Sequence, residues 1–302
     1  MQTSLGIVIV SYNTRGLLRD ALQSVYASRG PFSFEVCVVD NASPDGSAAM
    51  VAEEFPQVKL VANDQNVGYP AANNQGLRAL GFDAPAVTAP DFALLLNPDT
   101  VVPPDGLANM LDFMAEHPDA GAAGPKLLLL DGSLDLACRR SLPSPEVSFY
   151  RLTGLSRLFP HHRRFARYNL TYLDPDEVAE VGSVVGAFML VRGEVIDQVG
   201  LLDETFFMYG EDLDWAQRIH QAGWTIYYNP AVEVLHVKRA ASRHSARAQV
   251  EFYRAMEIFY RKHYAQRTPW LMHVFILTAI NLRGGLERLR QRVLTARGDA
   301  RR

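Results

Sequence analysis

Four short, largely apolar runs at residues 5–10, 34–39, 58–62 and 92–96, interrupted only by Glu35 and Lys59, set the strongest constraint on the fold. Each is too short for a buried helix. Each reads as a strand, and residues 5–10, apolar throughout and β-branched, as one covered on both faces. Residues 17–27, 46–55 and 71–80 fall between these runs with helical spacing, and residues 105–116 follow the last one in the same way. Alternating strand and helix predicts a parallel sheet with helices on both faces. Asn13 or Thr14 is positioned to cap the first helix.

In such sheets ligands lie beyond the carboxyl ends of the strands. The ends here are polar: Ser11-Tyr12-Asn13, Asp40-Asn41 and Asn97-Pro98-Asp99. Asp and Asn commonly make turns after strands. Three such ends in one sheet, two carrying a carboxylate, point instead to a shared crevice. Beyond residue 120 the pattern loosens. Residues 120–130 read as mostly extended, and 138–180 as loops and short helices over the rim of the crevice, with a basic cluster at His161-His162-Arg163-Arg164. Residues 183–191 read as a strand and 211–222 as a helix closed by Gly223. Two short extended pieces, 224–228 and 232–236, precede a long amphipathic helix at 245–264. There are no internal repeats and no low-complexity tract.

The 302 residues suffice for one large domain with a small appendage. A net charge of −3 gives no overall case for nucleic-acid binding. Two cysteines, Cys37 and Cys138, form neither a disulfide framework nor a zinc site. The first apolar stretch is too short for a signal peptide. No segment reaches the roughly 18 apolar residues of a membrane span. The nearest, 269–282, carries His273 and Asn281. A cytoplasmic protein is therefore expected.

Asp99 directly follows a strand, where a carboxylate projects into the crevice and is able to hold a hard divalent cation, Mg²⁺ or Mn²⁺, against diphosphate oxygens. A second acidic cluster, Glu211-Asp212-Leu213-Asp214, starts a helix behind the aromatic run Phe206-Phe207-Met208-Tyr209. Acidic residues suit a helix start; a carboxylate held against apolar rings also suits a general base. His236 ends an apolar piece, and a neutral imidazole there would complete a metal site with Asp99. Asn66-Val67-Gly68-Tyr69 and Asn73-Asn74-Gln75-Gly76 bracket a helix start that is either ordinary turn chemistry or a donor-phosphate contact. Arg139-Arg140 and Lys238-Arg239 are either diphosphate contacts or solvated basic pairs. No glycine-rich phosphate loop follows the first strand, which argues against a nucleotidyltransferase. A non-catalytic nucleotide-sugar-binding protein is the other alternative, and four retained polar residues, Asp40, Asp99, Asp212 and His236, argue against it.

In this order and spacing the motifs resemble glycosyltransferase family 2, whose members have the α/β GT-A fold. They are Val10-Ser11-Tyr12-Asn13, Val39-Asp40-Asn41-Ala42-Ser43, Asn66-Val67-Gly68-Tyr69 with Asn74 and Gly76, Asn97-Pro98-Asp99, Gly186-Ala187-Phe188, Gly210-Glu211-Asp212-Leu213-Asp214-Trp215, and His236. The resemblance implies a Rossmann-like, mostly parallel central sheet in a catalytic domain over residues 1–240. Its nucleotide-binding half would cover about 1–130 and its acceptor half 131–240, with a helical extension and basic tail over 241–302. Ser11, Tyr12, Asn13, Asp40, Asn41, Asn66, Gly68, Asn74 and Asn97 would face the nucleotide sugar. Asp99 and His236 would hold the metal, with Asn97 standing where the family carries the first Asp of its Asp-x-Asp motif. Asp212 would be the catalytic base, and Glu211, Asp214 and Trp215 would lie on the acceptor side. The segment from Gly200 to Trp215 is similar to bacterial rhamnosyltransferases. That implies dTDP-rhamnose as donor, with UDP-galactofuranose, UDP-galactose or UDP-GlcNAc as alternatives, and a glycan or lipid-linked saccharide as acceptor in cell-envelope polysaccharide synthesis. Residues 283–302 carry seven arginines against Glu287 and Asp299, downstream of an apolar stretch. That pairing suits either an anionic membrane surface or a packed helix with a solvated tail.

Overall fold

The computed structural model describes residues 2–83, 88–238 and 246–299. Arg239, the expected helix start at Ser245 and the expected domain boundary at 240 lie outside the described residues. The first half runs β1 (Thr3–Ser11), α1 (Arg15–Tyr26), β2 (Phe32–Asp40), α2 (Ser47–Glu54), β3 (Lys59–Ala62), α3 (Tyr69–Ala79), β4 (Phe92–Leu96), β5 (Thr100–Val101), α4 (Gly106–Glu116) and β6 (Ala120–Leu128). The second half runs α5 (Pro145–Leu152), α6 (Leu155–Leu158), β7 (Ala179–Glu180), β8 (Phe188–Arg192), α7 (Gly193–Val199), α8 (Glu211–Gln221), β9 (Thr225–His236), α9 (Ala246–His263) and α10 (Trp270–Asp299).

One sheet carries the fold, in the order β3-β2-β1-β4-β8-β6-β9-β5, with β7 also paired to β9. The four apolar runs form its parallel half, β3-β2-β1-β4. Ile7, Val8, Ile9, Val38, Val39 and Leu94 are fully buried there, as strands covered on both faces require. Burying one such side chain contributes roughly 1.5–3 kcal/mol. The register sets Ser11 opposite Asp40, so two of the polar strand ends emerge side by side. Beyond β4 the sheet becomes mixed: β8 runs antiparallel to both β4 and β6, while β6 and β9 are parallel.

Three local expectations are revised. The strand expected over 183–191 begins only at Phe188, because the preceding residues spend their backbone groups elsewhere: Ser183 pairs with Arg140, and Ala187 O accepts from Asn97 N. The two extended pieces at 224–228 and 232–236 form one strand, β9, whose register with β6 slips at Pro125 and Asn229. Pro230 lacks a ladder donor and sits in that slip. Helix α1 is not capped by Asn13 or Thr14. The Thr14 hydroxyl pairs with Ser11, and Asp45 accepts from the first helical N–H, at Arg15. Residues 145–152 form α5, one of the short helices expected over the rim, with Ser144 accepting from Val147 N.

Helices α9 and α10 pack on each other, and α9 packs on the sheet domain. Ala255 and Phe259 of α9 meet Phe206 and Leu213 in a second buried cluster.

Gly182 precedes the bridge in which Arg140 and Ser183 exchange both backbone hydrogen bonds. A Cβ at Gly182 would stand 2.4 Å from Leu142 N and 2.8 Å from Ser141 C, both backbone atoms that have no rotamer to escape into. Gly182→Ala is expected to destabilise the fold by about 1–3 kcal/mol. Thermal unfolding checks this; an unchanged melting temperature would show that the two segments are not so closely apposed.

Candidate active site

The turn after β4 delivers the first pair of groups. Asn97 O accepts from the Thr100 hydroxyl at 2.7 Å, which closes the turn and starts β5. Strand β5 pairs antiparallel with the end of β9, Thr100 opposite His236, and Asp99 O accepts from Val237 N. Asp99 Oδ1 then lies 3.4 Å from His236 Nε2. The other imidazole nitrogen, Nδ1, lies 2.8 Å from Asp135 Oδ2. Lys238 donates to Asp135 Oδ1 at 2.6 Å. Burial alone would raise the Asp135 carboxyl. The hydrogen bonds from His236 and Lys238 outweigh it and hold that carboxyl well below the usual carboxylate range. Asp135 thus fixes the ring with Nε2 turned toward Asp99, as second-shell carboxylates do for metal-ligating histidines.

Helix α8 delivers the second pair. Asp212 is buried, and its Oδ2 accepts from Arg140 Nη2 at 2.6 Å and from Gly186 N at 3.3 Å. Arg140 also donates to Val184 O at 2.8 Å. Glu211 is equally buried, and its Oε2 has no hydrogen-bond partner among the described residues. Burial first, and the neighbouring Asp212 charge second, push the Glu211 carboxyl up to about 8. Glu211 is therefore largely neutral at pH 7 and adds no second full charge beside Asp212.

Tyr69 links the two pairs. Its hydroxyl lies 3.1 Å from Asn97 Oδ1 and 2.9 Å from Gly186 O. Burial, then the charges of Glu211, Asp212 and Asp99, raise its ionisation far above the ordinary tyrosine range. The carboxyl groups of Glu211, Asp212 and Asp99 thus all act on one partly buried phenol.

The nucleotide end is formed by β1 and β2. Asp40 is buried; its Oδ2 accepts from Ser43 N at 2.9 Å, while Oδ1 has no partner among the described residues. Asn13 N donates to Ser43 Oγ, with Asn13 at φ +56°. Tyr12 is half exposed at the same strand end. Ser11 is buried, its hydroxyl shared with Thr14.

Several expected contacts are corrected. Asn41 is buried, donating to Gly68 O and accepting from Asn63 Nδ2. Asn74 is also buried, with both ends of its amide bonded to Leu202 and a further bond to Glu204. Both tie loops together and do not face a ligand. Asn66 Oδ1 accepts from Gly68 N, and Tyr69 N is taken by Phe207 O, so the start of α3 is not open to a phosphate. Gly68, at φ +93°, is needed because a Cβ would stand 2.7 Å from Phe207 O. Asp214 is not on the acceptor side. Two residues past Asp212 is about 200° around a helix, and Asp214 meets Arg218, His263 and Lys262 with no exposed surface. Trp215 is fully buried and donates to Gly200 O, so it is core and not crevice wall. Neither Arg139 nor Arg140 is solvated. Arg139 donates to the carbonyls of Asp174 and Leu173, and Arg140 holds Asp212. Sequence reasoning missed Asp135, which lies in a turn after β6 with no motif around it. It also missed the Arg140–Asp212 pair, whose members are 72 residues apart.

Comparisons with known proteins give the family and the fold. The sequence pattern of Glycosyl transferase family 2 matches residues 6–127, and that of Glycosyl transferase family group 2 matches 145–297. The N-acetylglucosaminyl-diphospho-decaprenol L-rhamnosyltransferase of Mycobacterium tuberculosis is 33% identical over 242 residues, covering 79% of this chain and 77% of that protein. The mannosyltransferase PcManGT from Pyrobaculum calidifontis, solved with GDP-Man and Mn²⁺, superimposes with a TM-score of 0.57 at 17% identity, over 99% of this chain and 76% of that one. S. aureus TarS 1-349, solved with UDP-GlcNAc, gives 0.56 at 17% identity, over 86% and 65%. The chain belongs to glycosyltransferase family 2. It has the GT-A fold and is a glycosyltransferase of the hexosyl-transferring kind.

Glu211 titrates near 4.5 in an unfolded chain and at about 8 here. The folded state therefore holds a proton that the unfolded state releases. Its contribution to stability is complete below 4.5 and is lost as pH rises through about 8. Glu211→Gln lacks this loss. The gap in unfolding free energy between variant and wild type is expected to widen in the variant's favour by at least about 1 kcal/mol between about pH 5 and pH 9. Denaturant titrations at both pH values check it; a constant gap would contradict a buried neutral Glu211.

Proposed function

We propose that this protein transfers L-rhamnose from dTDP-rhamnose to a lipid-linked saccharide, with inversion at the anomeric carbon, at the cytoplasmic face of a membrane. The observation that carries the reaction is the Tyr69 hydroxyl, which reaches both the Asn97 turn bearing Asp99 and the Gly186 backbone bonded to Asp212. The donor sugar and acceptor class rest on the rhamnosyltransferase relative of Mycobacterium tuberculosis.

Asp212 takes the proton from the acceptor hydroxyl. That oxygen attacks the anomeric carbon from the face opposite the nucleotide, and a single displacement inverts the configuration. Arg140 Nη2 and Gly186 N fix the orientation of the Asp212 carboxylate throughout. Glu211, neutral beside it, offers the acceptor a carboxyl without a competing charge. The unpaired Asp40 Oδ1 is the acceptor for a ring N–H of the donor's pyrimidine, with Ser11, Tyr12 and Asn13 forming the rest of that end.

The residues fit a divalent cation. Among the described residues His236 Nε2 meets only Asp99, and its ring is set by Asp135. Among the described residues no third acidic, His or Cys side chain joins them. Two protein ligands leave the remaining positions for diphosphate oxygens and water, the habit of Mg²⁺ and Mn²⁺ with nucleotides. Bound there, the cation would neutralise charge on the departing diphosphate. We read residues 1–240 as the catalytic domain and 241–302 as a helical extension.

Asp212→Asn is expected to bind dTDP-rhamnose as wild type does and to lose transfer by about 10²–10⁴-fold. Calorimetric donor binding and a transfer assay, run side by side, check the assignment. Wild-type turnover by the variant would end it.

A further inference from the structure

Helix α10 has two unlike faces. One packs on α9: His273 Nδ1 lies 3.0 Å from the Tyr260 hydroxyl, Ile280 is buried, and Gly284 sits against the Tyr253 ring. The other face is uncovered and apolar. Trp270 and Leu271 are each 73% exposed, Phe275 66% and Leu282 63%, with Met272 and Val274 also exposed. Thirteen large hydrophobic side chains are exposed among the described residues, and these six fall within one stretch of α10. Leu271, Phe275 and Leu282 fall on one side of the helix over about 16 Å, with Thr278 between the last two.

Clustering of this kind marks a contact surface. Its charge context identifies the partner. Residues 283–302 hold seven arginines and two acids, although the whole chain carries net −3. Apposing two copies through this face would bring two arginine-rich segments together, whereas an anionic bilayer complements both the stripe and the segment that follows it. No helix among the described residues is long and apolar enough to cross a membrane. A helix with a tryptophan at its start, one apolar face and a basic continuation lies in the interface plane.

We propose that the outer face of α10, with residues 283–302, docks the enzyme on the surface of an anionic lipid bilayer. The helix lies along the membrane with Trp270, Leu271, Phe275 and Leu282 at the acyl boundary, and the arginine-rich sequence that follows supplies charge attraction to anionic lipid. The surface itself rests on neither the donor nor the acceptor assigned above, and its test uses neither.

The full-length protein is floated with vesicles of phosphatidylcholine alone and with vesicles containing phosphatidylglycerol. The expected result is binding to the anionic vesicles that is at least about tenfold stronger than to the neutral ones and weakens as salt is raised. The double variant Trp270→Ser, Phe275→Ser is expected to lose that binding. It should keep the wild-type melting temperature, since both side chains are exposed, and wild-type transfer to a soluble acceptor. Failure of transfer in both proteins would count against the proposed donor and acceptor and leave the vesicle result standing. Equal binding of variant and wild type would overturn the docking surface. So would a wild-type dimer in light scattering that the variant lacks, with no vesicle binding by either.

Discussion

The buried contact between Arg140 and Asp212 is the interaction around which the site is organised. Taking a guanidinium and a carboxylate out of water costs several kcal/mol per ion, and removing one partner of such a pair typically costs about 3–5 kcal/mol. The pair persists because the backbone around it is fully committed. Arg140 exchanges two hydrogen bonds with Ser183 and donates from its side chain to Val184. The loop 183–187 that this creates then serves three further partners: Gly186 N meets Asp212, Gly186 O meets Tyr69, and Ala187 O meets Asn97. One loop therefore sets the place of Asp212 relative to the turn that carries Asp99.

The other half of the site depends on a very short strand. Residues Thr100–Val101 add to the end of β9, and that pairing alone brings a residue after β4 beside one 137 positions further along the chain. Asp135 reaches the same histidine from the turn after β6. Electrostatics separates the carboxylates by task. Asp135 is held charged by Lys238 and His236, Glu211 is held neutral by burial and by Asp212, and Asp99 keeps the partial exposure that a ligand-facing group needs.

Much of this was legible in the residues themselves. The four largely apolar runs are the parallel half of the sheet, and the two that are buried along almost their whole length, β1 and β4, carry the continuous apolar signature. The polar strand ends at Ser11, Asp40 and Asn97 do gather at one side of it. What escaped was contact made across long separations by groups without periodicity. Asp135, Arg140 and the β5–β9 pairing have no local pattern to betray them. Asn41, Asn74, Asp214 and Trp215 sit inside ligand-like motifs, yet they are buried and bonded to protein. A motif marks the neighbourhood of a site; helix phase and burial decide which of its side chains face the ligand.

The central claim is spatial: base and metal pair lie on opposite sides of one anomeric carbon. Crystals grown with dTDP-rhamnose and Mn²⁺ test it most directly, through the anomalous scattering of the metal. The account requires the manganese peak within coordination distance of Asp99 and His236 Nε2, with the Asp212 carboxylate on the face of the sugar away from the diphosphate. A peak elsewhere, or Asp212 on the diphosphate side, would contradict it.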